Sequence, residues 1–155
     1  MPNYKKHLIG GLGAYAALLI ILQRIIQPVS LLSAGEWLVC SLAGSLFPDI
    51  DIKSRGQKYF YRVILLVMIF LIIQRQFSLL ATSSVMAVTP MLVRHRGIFH
   101  RLWFVILFPL AIWYIVSLSV PTISTILLFD ILFFIAGAIS HLWLDFGFWR
   151  MLRFR

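Results

Sequence analysis

Apolar runs of bilayer-crossing length, separated by short polar breaks, take up most of this chain of 155 residues and leave few folds open to it. Leu8 to Ile26 stays apolar until Gln23 and Arg24, close to the roughly 20 residues a helix needs to cross the hydrocarbon layer. Pro28 breaks it. Leu31 to Phe47 forms a second run, with Glu36 near its start, and stops at Pro48. Tyr59 to Ile73 and Phe77 to Val93 are shorter, about 22–26 Å as helices, and the tight Gln74-Arg75-Gln76 link makes them a hairpin, either crossing or re-entrant. Leu102 to Val120, which contains Pro109, and Thr122 to Asp145 complete the series on either side of Pro121. The pattern predicts an all-α fold, a polytopic transmembrane bundle of about six helices in three hairpins, forming one integral membrane domain over residues 1–155.

Hydrophobic residues make up 61% of the chain, well above the half or so of a globular protein. The formal net charge of +9 would suit nucleic acid on a soluble domain, but here the cations sit between apolar runs and read as topology. If all six runs cross, twelve of the fourteen basic residues share one side and only Arg24 and Arg75 the other. The positive-inside rule then puts both termini in the cytoplasm, with lipid and not nucleic acid as the expected partner. The first run is expected to remain as a membrane helix, because no small-residue cleavage site follows it. Gly10, Gly11 and Gly13 in its first turns would let another helix approach closely. Cys40 has no partner cysteine and is expected to be a small buried hydrophobe.

The scarce polar groups are not scattered. His7 precedes the first run, Asp49 and Asp51 follow the second, His95 and His100 lie between the fourth and fifth, and His141 and Asp145 close the sixth. All fall at run ends on the basic side. His141 and Asp145, four apart, share one helix face, and Gly97 lets the backbone bend between His95 and His100. A histidine and carboxylate shell without thiolate suits zinc, manganese or ferrous iron, with zinc or manganese foremost. Seven candidates exceed one tetrahedral ion, so a two-metal site or a spare general base is open.

Three motifs add to this reading. Gly44-Ser45-Leu46-Phe47-Pro48-Asp49-Ile50-Asp51, His95-Arg96-Gly97-Ile98-Phe99-His100 and His141-Leu142-Trp143-Leu144-Asp145 follow an amino-terminal His7-Leu8-Ile9-Gly10. In order and spacing they resemble the YdjM family of LexA-regulated inner-membrane proteins, over nearly the whole chain. The resemblance implies a multi-pass protein of a bacterial or archaeal inner membrane with a metal-dependent hydrolase assignment. It also implies His7, Asp49, Asp51, His95, His100, His141 and Asp145 as metal ligands. Ile52, Arg101 and the short tail after Asp145 depart from the family pattern.

The expected function is a membrane-bound hydrolase using a divalent ion, acting on a phosphoester or lipid-like substrate at the cytoplasmic face. Asp51 or Asp145 would serve as catalytic proton acceptor, and Arg94, Arg96 and Arg101 would contact the anionic substrate. The alternative is a non-catalytic metal-binding protein or a metal transporter. Asp130 is the main candidate for a group on a transport path, with Glu36 nearer the opposite side. A phosphatidate-type phosphatase shares the His-x-x-x-Asp spacing, but its lysine-arginine-proline and serine-glycine-histidine signatures are missing.

Overall fold

The computed structural model describes residues 4–25, 29–51, 55–77, 80–81, 84, 87–88 and 98–151, with the side chains of residues 51, 55, 56, 59 and 60 outside that description. Every regular element among these residues is helical. In order they are α1 (Tyr4–Leu22), α2 (Leu31–Leu46), a 3-10 turn (Phe47–Asp51), α3 (Arg55–Ile73), a second 3-10 turn (Ile98–His100), α4 (Leu102–Ser119), a third (Pro121–Ile123), α5 (Ser124–Phe146) and the short α6 (Phe148–Met151). Among the described residues four stretches are long and apolar enough to cross a membrane: Tyr4–Leu22, Leu31–Ile50, Leu102–Ser119 and Pro121–Phe146. The apolar part of α3, Tyr61–Ile73, is shorter. The expected fourth run is helical where it is described.

The helix ends follow from local chemistry. Ser30, extended at φ −69° and ψ 151°, caps α2 by accepting the Ser33 N–H at 3.0 Å. Pro48, which has no N–H, ends it, and Pro121 does the same beyond α4. Gly147 closes α5 with φ 71°, a backbone conformation a side chain disfavours.

The chain divides into two compact units, one of Met1–Pro48 with Phe99–Arg155 and the other of Asp49–Ile98. Within the second, α3 ends in a paired-bond turn in which the Gln76 N–H reaches the Leu71 carbonyl at 2.9 Å and the Arg75 N–H reaches Ile72 at 3.0 Å. Arg75 takes the left-handed conformation, φ 56°, that this turn demands. The Tyr61 hydroxyl donates to the Ala87 carbonyl at 3.1 Å.

The first unit is built on α2 and α5, which run in the same direction with a constant offset. Trp37 stacks on Phe133 with ring centroids 5.0 Å apart, Gly137 lies on the Ser41 backbone one turn later, and His141 meets the Ser45 carbonyl one turn beyond that. Gly44 likewise faces the Phe134 backbone. Without a hydrophobic drive between helices in lipid, such close backbone approach and interhelical hydrogen bonds hold a bundle together. Antiparallel to this pair, α1 is tied by two bonds to α2, from the Ser41 hydroxyl to the Gly11 carbonyl at 2.9 Å and from the Tyr15 hydroxyl to the Ala34 carbonyl at 3.1 Å. Of the three α1 glycines, Gly10 and Gly11 sit at helix contacts and Gly13 faces open space. On the other side α4 runs antiparallel to α5, where Val105 packs on Ala138 and Leu142 and the Trp113 indole donates to the Ser124 carbonyl at 2.9 Å. The starts of α1 and α4 therefore meet the ends of α2 and α5 at one end of the unit. A Cβ at Gly137 would run into the Ser41 carbonyl, which is backbone and cannot swing away. Gly137→Ala is expected to destabilise the protein by about 1–3 kcal/mol, read as a lower unfolding midpoint in detergent.

Candidate metal centre

Each residue at this end is placed by a different element. His7 lies in the first turn of α1 and is 1% exposed; His141 lies near the end of α5 and is fully buried. Asp145 follows His141 by one turn. His100 closes the Ile98–His100 turn, which is pinned by its neighbour Phe99, itself fully buried. Phe99 packs edge-on against Phe47 at 5.5 Å and Phe104 at 5.1 Å, and Phe47 packs in turn on Phe134 at 5.2 Å. One aromatic cluster thus fixes both the exit from α2 and the entry to α4.

Three imidazoles converge on one carboxylate. His7 Nε2 is 3.6 Å from Asp145 Oδ1, while His141 Nε2 at 3.5 Å and His100 Nε2 at 3.9 Å face Asp145 Oδ2. These separations exceed the 2.7–3.2 Å or so of a good hydrogen bond. They lie near the roughly 3.3–3.4 Å between ligand atoms that each sit about 2.0–2.1 Å from a tetrahedral ion. Small inward shifts would bring the set onto one cation. The His100, His141 and Asp145 ligand atoms all lie within 4.8 Å of one another, and this cluster of aspartate and histidine could hold a metal ion.

The hydrogen bonding of His141 points the same way. His141 Nδ1 is 2.8 Å from the Ser45 carbonyl, and because a carbonyl only accepts, Nδ1 carries the proton. In the neutral ring Nε2 then presents a lone pair towards a carboxylate, an arrangement that a cation between them would relieve. His7 and His141 stack with centroids 3.8 Å apart and planes 16° off parallel. His7 Nδ1 and Asp145 Oδ1 are moreover buried without a hydrogen-bond partner among the described residues.

Of the residues expected from sequence, the first unit brings together His7, His100, His141 and Asp145. Asp49 opens the second unit, one residue beyond the buried Pro48, and is partly buried. Asp51 ends the Phe47–Asp51 turn, its side chain outside the described residues, and Arg94, His95, Arg96 and Gly97 lie outside them altogether. Arg101 is exposed beside His100 at the start of α4. Sequence reasoning missed Ser45, which acts through its main-chain carbonyl and so leaves no signature in side-chain type.

Asp130 and Glu36 belong elsewhere. With Leu31, Leu32, Val39 and Cys40 they line a groove of about 790 Å³ towards the starts of α2 and α5. Cys40 is only partly buried there, whereas the sequence led us to expect a small buried hydrophobe. From 131 to 140, α5 carries no ionisable residue linking that groove to His141. Asp145→Asn removes the charge that all three imidazoles face and is expected to weaken zinc or manganese binding at least about tenfold with helical content unchanged, as read by metal titration alongside circular dichroism.

The family model described as YdjM inner membrane protein matches residues 1–148, which includes every element of this centre. No curated protein and no solved structure matches the chain. With nearly its whole length covered, the chain belongs to the YdjM family of inner membrane proteins.

Proposed function

We propose that this protein is a membrane-bound, metal-dependent hydrolase of a phosphoester or lipid-like anionic substrate, working at the cytoplasmic face. The observation that carries the proposal is the convergence of three buried imidazoles on the Asp145 carboxylate at one end of an apolar bundle. His7, His100, His141 and Asp145 would hold zinc or manganese, joined by Asp49, His95 and Asp51 from the adjoining sequence. When bound, such an ion supplies Lewis acidity and a water activated near neutral pH.

Asp145 has one oxygen facing His7 and the other facing His141 and His100, which suits a ligand shared across the site. Either Asp51 or Asp145 would take the proton. Arg94, Arg96 and Arg101 offer planar donors to an anionic group. Trp143, Phe148 and Trp149, 59%, 50% and 80% exposed at the same end, are the residue types that settle at headgroup level and favour a lipid substrate. The clustering of basic residues on the runs' common side supports cytoplasmic termini in a bacterial or archaeal inner membrane.

Burial favours one rival. With His7 and His141 almost wholly enclosed, the centre also fits a closed structural site, so a metal-binding protein without turnover is the second reading. Purified protein is expected to retain about one equivalent or more of zinc or manganese, and to hydrolyse phosphatidate in mixed micelles with activity abolished by chelation and by Asp51→Ala. Bound metal without turnover of phosphatidate or simpler phosphoesters would select the rival; protein free of metal and unable to take it up would defeat both.

A further inference from the structure

The hydrogen bond that orients His141 depends on a carbonyl that a helix would normally use for itself. At the end of α2 the Phe47 N–H turns to the Gly44 carbonyl, three residues back, and the chain enters the Phe47–Asp51 3-10 turn. In that register the donor for the Ser45 carbonyl is residue 48. Residue 48 is proline, which has no N–H to give. The Ser45 carbonyl is therefore open to a donor from outside the helix, and His141 Nδ1 takes it at 2.8 Å.

Two further features make this placement firm. Pro48 is among the fully buried side chains, so its position is fixed by packing and not by a loose turn. Gly137 lets the α5 backbone close onto Ser41 one turn before the bond, bringing the ring within reach. We propose that Pro48 is a positioning residue: by withholding an N–H it reserves the Ser45 carbonyl for His141, holds the proton on Nδ1 and turns the Nε2 lone pair towards the metal centre. The effect on metal affinity rests on the proposed function, whereas the tautomer does not. A ligating imidazole is commonly held in this way by a bond to its other nitrogen, and losing such a partner weakens metal binding about 10–100-fold.

Two replacements separate the missing N–H from the ring. Pro48→Ala restores a donor, while lactic acid at position 48, introduced as a backbone ester, lacks both ring and N–H. The readout is the nitrogen-15 spectrum of the histidine rings in metal-free protein, with the His141 signals identified by their absence from His141→Ala, followed by zinc titration. Wild type and the ester are expected to show a protonated Nδ1 and the same zinc affinity. Pro48→Ala is expected to show a mixture of tautomers and about tenfold weaker binding. If the alanine variant keeps the wild-type tautomer, or if alanine and ester lose it alike, the proposal is overturned. Should Pro48→Ala fail to fold, the ester decides alone: retention of the tautomer supports the proposal and loss overturns it. Wild type that holds the tautomer yet binds no zinc would remove the metal reading and leave the proline inference standing.

Discussion

The close approach of α2 and α5 is the contact on which the rest of the first unit depends. Trp37 and Phe133, Ser41 and Gly137, and Ser45 and His141 are each 96 residues apart and lie on successive turns. A side chain at Gly44 or Gly137 would hold the two backbones apart. With them in contact, helices in lipid gain what lipid cannot supply, dense packing and hydrogen bonds between segments. The same contact ends in the bond that sets the orientation of His141.

The polar groups of this unit obey a simple economy. Ser41 and Ser45 are fully buried, and each donates to a backbone carbonyl, one on α1 and one on α2 itself. The ionisable residues that converge do so at the ends of helices, where desolvation is less severe than at mid-span. A carboxylate ringed by three imidazoles would be an expensive arrangement if nothing bound there. The spacings around Asp145 match coordination better than hydrogen bonding. A shared cation would account for them.

Much of this was legible in the residues taken singly. The lengths of the first, second, fifth and sixth apolar runs forecast the four stretches that can cross a membrane, because transfer of side chains into lipid depends mainly on local composition. The tight Gln74-Arg75-Gln76 connection was also readable, although the left-handed backbone at Arg75 was not, since arginine carries no preference for it. The convergence of His7, His100, His141 and Asp145 could be suspected from their shared position at run ends. Their distances could not, because they depend on segments far apart in the chain.

Sequence alone determined that this chain is a helical membrane protein with His7, His100, His141 and Asp145 at the ends of its apolar runs. Hydropathy and the 3.6-residue period act over a few turns, so they need no knowledge of the remainder of the chain. Tertiary structure alone decided which oxygen of Asp145 each histidine faces, which nitrogen of His141 bears the proton, and that a main-chain carbonyl at Ser45 controls it. Those outcomes require two backbones to meet within a few ångströms, a matter of packing between turns 96 residues apart that no local pattern records.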